Sequence, residues 1–197
     1  MQKAPRTAAS EAAAAAAALI ARDRLRWSDA KRAVLESTGI LPDDALVASE
    51  IRRWCALFEP QRHAQLLAVK RRAALALMEA LPSFRPMLTG HVLSGAATAD
   101  TAVTVWIGAP SEKDVEIALL NLGLEYDVLG AEGSGRSASV SYLLEVRGEN
   151  AVLTVSERPP RGTEPREPDA WQRPEEARGR LGIKGLRALL GATSRAD

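Results

Sequence analysis

Cysteine and histidine are nearly absent from this chain. Cys55 is the single cysteine and His63 and His91 the only histidines in 197 residues. No internal disulfide, cysteine-based zinc site or CxxC redox pair can be assembled from them, and the usual histidine-rich metal and acid–base centres are equally hard to build. Net charge is lacking too. With 26 Lys and Arg against 25 Asp and Glu, nothing in the balance points to DNA or to a membrane surface as partner. No apolar run approaches the roughly 18 to 20 residues of a membrane span, no segment reads GxxxxGK[ST], GxGxxG or GxSxG, and no repeat recurs at periods of about 20 to 50 residues. The cytoplasm is the expected compartment.

What is there suits one core. At 46% hydrophobic and 26% charged residues, the composition fits a globular domain, alone or with a small helical module. Lys3 and Arg6 precede an alanine run at residues 12–18, superficially like an export signal. Alanine is weakly hydrophobic but the best helix former, and the pattern continues unbroken into Arg22-Asp23-Arg24, so the expectation is a helix. Ser28 is placed to cap a second helix over residues 29–37, with Gly39 at its left-handed end. Pro42 and Asp43 open a third, where Val47, Ile51, Trp54, Cys55 and Phe58 form one apolar stripe with Arg52 and Arg53 off it. Cys55 therefore reads as core. A fourth helix over about residues 61–81 gathers Leu67, Ala74, Leu77, Met78 and Leu81 on one face. Lys70, Arg71 and Arg72 form a basic run on it, read as a solvated face or, alternatively, as a surface for an anionic partner.

At Pro82 the periodicity changes. Residues 87–94 and 102–107 read as strands. Ser111 with Asp114 suggests a capping box ahead of a helix with Val115, Ala118, Leu119 and Leu122 on its apolar face. A third strand is expected at 125–129, a flexible glycine-rich loop at 130–136, and a hairpin from 137–146 and 151–155 closed through residues 147–150. Beyond Glu157, five of the 11 prolines fall within 16 residues, Pro159 to Pro174. That composition predicts a linker, followed by a short helix within 175–190. Charge divides along the same lines: residues 91–157 carry 3 basic and 10 acidic side chains, residues 158–197 carry 9 and 6.

The stretch Leu88-Thr89-Gly90-His91-Val92-Leu93-Ser94-Gly95, followed by Asp100-Thr101-Ala102-Val103-Thr104, resembles the signature of the polymerase-beta-type nucleotidyltransferase superfamily. There a glycine turn with a second glycine leads to a strand bearing Asp-x-Asp. Gly90, Gly95 and the polar turn at Asp100 match, and the resemblance covers about residues 61–157. A narrower set of bacterial proteins is similar also in its helical front end, a Leu-Thr-Gly segment and a Lys-Asp-Val-Glu-Ile helix start, present here from Lys113 to Ile117. In active members the turn holds a triphosphate, while the paired carboxylates and a third on a neighbouring strand hold Mg²⁺. The pair must be spaced i and i+2 so that both face the same metals. Here those positions are Ala102 and Thr104, and His91 stands where the family has serine. Leu153-Thr154-Val155 supplies no third carboxylate.

The sequence therefore predicts an α+β protein: an N-terminal helical module (1–59) packed on a small nucleotidyltransferase-like mixed sheet (60–157), with a Pro/Arg-rich C-terminal tail (158–197). The resemblance implies a degenerate, non-catalytic binding or regulatory protein without cofactor. Its remnant nucleotide-binding turn would comprise Gly90, His91, Gly95, Asp100 and Thr104; alternatively the glycines serve the turn alone. Lys70, Arg71 and Arg72 are the candidate surface for a protein partner, or more weakly for RNA. The competing reading is an active nucleotidyltransferase that uses Mg²⁺ and a nucleoside triphosphate through replaced carboxylates.

Overall fold

Asp43 and Thr7 show how local chemistry starts the helices in the computed structural model, which describes residues 7–109, 111–133 and 138–193. Thr7 Oγ1 accepts from the amide of Ser10 at the head of α1 (Ala8–Ala21), and Asp43 Oδ1 accepts from the amides of Ala45 and Leu46 at the head of α3 (Asp44–Phe58). Between them α2 (Trp27–Thr38) ends at Gly39 with φ +72°, a left-handed conformation that glycine adopts without a Cβ penalty. The alanines of α1, namely Ala12, Ala13, Ala16 and Ala17, are buried with Ile20 against Ala30, Val34, Val47, Ile51 and Cys55. Small side chains let the helices approach closely. Two expectations shift. The second helix begins at Trp27 rather than after Ser28, because Trp27 Nε1 donates to Asp44 Oδ1 at 2.9 Å and anchors that end. On α3 the apolar stripe stops short of Phe58, which is exposed, while Arg52 is buried.

The fourth helix, α4 (Pro60–Ala80), lies against the sheet. All five residues of its apolar face are buried, together with Ala73. The sheet strands are β1 (Met87–Thr89), β2 (Val103–Ile107), β3 (Tyr126–Glu132), β4 (Ser139–Val146), β5 (Glu149–Ser156) and β6 (Leu181–Gly182), in spatial order β3-β4-β5-β2-β1-β6. Only β2 and β5 run parallel. A short helix α5 (Gly90–Ser94) joins β1 to β2, α6 (Glu112–Asn121) joins β2 to β3, and α7 (Ile183–Thr193) follows β6. Alternation puts Val103, Val105, Ile107, Tyr142, Leu144, Ala151, Leu153 and Val155 in one core with α4, Val115 and Leu119 of α6, and Leu186 and Leu189 of α7. No helix among the described residues is long and apolar enough to cross a membrane.

Several boundaries differ for physical reasons. The strand expected over 87–94 ends at Thr89, because Gly90 takes φ +69° and turns the chain into α5. Ser111 precedes α6 but its hydroxyl makes no capping hydrogen bond, so the capping box does not form. The β4–β5 hairpin closes through two residues, Arg147 and Gly148, both left-handed at φ +54° and +79°, the conformation of a tight turn that matches strand twist. Of the expected glycine loop, Gly130 belongs to β3, and residues 134–137 lie outside the described residues, as do residues 1–6 and 194–197.

The largest correction concerns the proline-rich tail, which is not a free linker. Residues 158–180 form an irregular strap whose end enters the sheet as β6 beside β1, and Leu181, Leu186 and Leu189 are core residues. No continuous helix spans 175–190. A single 3₁₀ turn at Glu176–Arg178 stops at Gly179, φ +71°, where an added Cβ would lie 2.3 Å from the Thr163 carbonyl oxygen.

Candidate functional site

The glycine turn sits where three parts of the chain converge. Its floor is β2: a Cβ on Gly90 would meet Thr104 Oγ1 at 3.4 Å, and Thr104 pairs across from Thr89, whose hydroxyl donates to the Thr104 carbonyl. Its far end is Gly95, φ +77°. Its roof is the N-terminal module. The His91 ring stacks on Trp27 with centroids 3.9 Å apart and planes at 20°, and Trp27 and Lys31 both donate to Asp44. Burial opposes ionisation of Asp44, but the hydrogen bonds from Lys31 and Trp27 prevail and hold its carboxyl below the ordinary range. Burial pushes the His91 pKa down; Asp44 pulls it up and Arg52 pushes it down further. His91 is thus neutral at neutral pH, and its ring face is occupied by tryptophan.

Two arginines fix the turn from behind. Arg71 Nε donates to the Val92 carbonyl and Nη2 to the Leu93 carbonyl, while Arg52 Nη1 donates to the Ser94 carbonyl. These are the open carbonyls at the end of α5. Each guanidinium then meets a carboxylate from the strap: Arg71 pairs with Glu176 at 2.6 Å, the side chains 4% and 8% exposed, and Arg52 pairs with Asp169 at 2.6 Å. Burial pushes the Arg71 pKa down and Glu176 pulls it back up. Gln172 adds a further donor to the Ser94 carbonyl. A third buried pair, Lys70 with Glu149 at 2.6 Å, joins α4 to the start of β5.

These contacts redistribute the sequence candidates. Gly90, His91, Gly95 and Thr104 come together at the turn, whereas Asp100 stands exposed on the loop before β2. The basic run does not form a solvated face: Lys70 and Arg71 are buried in ion pairs, and only Arg72 is exposed. A partner surface built on all three is therefore not present, because helical rotation points two of them inward where acidic residues from distant segments receive them. Composition alone did not reveal Trp27, Asp44, Arg52, Asp169 or Glu176; the charge contrast between segments foreshadows only the Lys70–Glu149 pair, since Asp169 and Glu176 lie in the net-basic tail.

Among the described residues the carboxylates nearest the turn, Asp44, Asp169 and Glu176, are each taken up by a cation, Lys31, Arg52 and Arg71 respectively. In parallel register Thr104 faces Val152 and Trp106 faces Thr154, so the strand beside β2 offers hydroxyl and methyl groups only. Among the described residues no group of three or more His, Cys, Asp or Glu side chains is placed to hold a metal ion. Cys55 is buried, and burial with the nearby Glu59 pushes its thiol up to about 11, which leaves it protonated and unreactive. No family model, curated protein or solved structure matches the chain.

Proposed function

We propose that the chain is a non-catalytic binding or regulatory protein on a nucleotidyltransferase-like frame. One observation carries the reading: the positions that would need carboxylates hold Ala102 and Thr104, while the turn beside them is covered by the Trp27–His91 stack. Methyl and hydroxyl groups cannot offset the charge of two Mg²⁺ ions bound with a triphosphate. The coverage is built in. The helical module reaches the turn through the Trp27–His91 ring stack and the Arg52–Ser94 contact, and the Asp44 hydrogen bonds fix Trp27 within the module. Where a substrate's phosphates would lie under the resemblance, this chain places its own side chains.

Titration of the purified protein with ATP, CTP, GTP and UTP in the presence of Mg²⁺ tests this directly. The expected result is no Mg²⁺-dependent heat and no nucleotide incorporation into RNA or protein acceptors. Mg²⁺-dependent transfer with any of the four would overturn the reading and restore the enzyme, and Mg²⁺-dependent binding without transfer would overturn the argument that the turn is covered.

A further inference from the structure

Alternation gives the sheet a second face. The helices α4, α6 and α7 share a core with one set of its side chains. The other set is half-buried and comprises Thr104 and Trp106 of β2, Val152 and Thr154 of β5, and Ser141 and Leu143 of β4. In register, Trp106 stands beside Thr154, Thr154 beside Ser141, and Ser141 beside Gly130 of β3. With about 4.8 Å between neighbouring strands, this row spans about 14 Å.

The Trp106 ring is laid along this face and held at both ends. Its Nε1 donates to Ser156 Oγ on β5 at 3.0 Å, and its six-membered ring reaches over Gly108, where a Cβ would lie 3.0 Å from Cζ2 and 3.1 Å from Cη2. A side chain there would crowd the indole, so the glycine leaves room for it. The Arg180 guanidinium lies over the ring, 5.8 Å from its centroid, within cation–π range. Beyond Ser156 the face continues into a cleft of about 800 Å³. Ser139, Ser141, Thr154 and Ser156 floor it, Arg158 and Arg161 border it, and Glu132 is the one carboxylate among the described residues that line it. Two of the strap's acids, Asp169 and Glu176, are turned inward to Arg52 and Arg71, and among the described residues Arg158, Arg161 and Arg180 make no ion pair.

We propose that this face binds single-stranded RNA. One base stacks on Trp106 beside Arg180, the backbone crosses the strands toward the cleft, and Arg180, Arg158 and Arg161 meet its phosphates. An aromatic platform flanked by unpaired cations suits a single strand, because every base has a π face, and a sheet face four strands wide holds two or three bases. The hydroxyls on the floor can exchange hydrogen bonds with ribose 2′-OH groups, which DNA lacks. An uncharged sugar would leave the three arginines unused, and an acidic peptide would leave the indole face without a planar partner. The inference goes beyond the non-catalytic reading and does not rest on it, since none of these residues belongs to the glycine turn.

Fluorescence anisotropy of a labelled oligo-U of about 20 nucleotides with the full chain, in EDTA at about 50 and 200 mM salt, tests the assignment. Binding is expected with a Kd of about 1 to 100 μM, weaker at the higher salt. Trp106→Leu, which keeps an apolar side chain without a planar face, should bind about ten-fold more weakly. Arg180→Gln should weaken binding several-fold and make its salt dependence shallower by about one phosphate contact, whereas Arg72→Gln, exposed on α4 at the helical side of the sheet, should leave it unchanged. If Trp106→Leu lowers the unfolding midpoint, Arg180→Gln decides. Heparin supplies charge without planar rings, so its binding should be indifferent to Trp106→Leu. The proposal is overturned if oligo-U does not bind at the lower salt, if Arg180→Gln or a stably folded Trp106→Leu binds as the parent does, or if Arg72→Gln weakens binding as much as Arg180→Gln. Equal loss of heparin and RNA binding in Trp106→Leu, or oligo-dT binding as tight as oligo-U, would overturn it as well. Mg²⁺-dependent nucleotide transfer would overturn the non-catalytic reading and leave this result standing, and failure to bind RNA would leave that reading in place.

Discussion

Arg71 and Glu176 are the residues on which the turn most depends. Removing one member of a buried pair leaves the other charged and uncompensated, typically at a cost of about 3 to 5 kcal/mol. Glu176→Gln should therefore lower stability by about that amount, read as a drop in the urea midpoint, whereas Arg72→Gln, at an exposed position on the same helix, should change it by less than about 0.5 kcal/mol. The histidines set an acid limit. Burial pushes the pKa of both His63 and His91 below 6.5, so between the folded values and 6.5 the unfolded chain binds more protons and stability rises with pH. Above 6.5 both states are neutral and the contribution is flat. Acidification from about pH 6.5 should thus lower the urea midpoint, and His91→Phe, which retains a ring against Trp27, should make that slope shallower. Asp44 and Asp169, with pKa values held below 3.8, act in a separate window: they stabilise above that value, and their contribution is lost as pH falls through the folded values. An unchanged slope in His91→Phe would show that His91 is not the titrating group.

Among the elements, the two glycine-dependent turns separate ordinary strain from a steric block. Gly148 has open space around it, so Gly148→Ala meets only the left-handed backbone and should cost about 1 kcal/mol. Gly179 is different. Its missing Cβ would lie 2.3 and 2.6 Å from the carbonyl oxygens of Thr163 and Glu164, backbone atoms that cannot move aside as a side chain can. Gly179→Ala should shift the strap and unpair β6 from β1, with faster amide exchange in residues 163–182 than Gly148→Ala produces anywhere. Equal effects of the two substitutions would contradict this crowding. The edge strand β3 carries Val128 and Leu129 exposed, and it is blunted by Asp127, Glu132 and a register shift between Val128 and Gly130, devices that discourage pairing with a further strand.

For the whole molecule, the strap and α7 close the structure rather than trail from it. Deleting residues 158–197 removes Leu181, Leu186 and Leu189 from the core and strips Arg52 and Arg71 of their carboxylates; a truncated chain should lose its cooperative unfolding transition and bind a hydrophobic dye. Retention of the full-length midpoint would mean that the strap is dispensable. The separation of local from long-range information explains what was legible beforehand. Alanine content, the capping Asp43, Gly39, the apolar face of α4 and the alternation along β2, β4 and β5 are encoded within a few residues of where they act, so sequence alone determined the helical front and the mixed α+β character. Only the tertiary structure decided the rest. Whether Lys70 and Arg71 face water, whether a proline-rich segment is a linker or a strap, and what lies over His91 depend on partners 79, 105 and 64 positions away, at Glu149, Glu176 and Trp27. A buried charge is indistinguishable from an exposed one until its counter-ion has been brought to it in space.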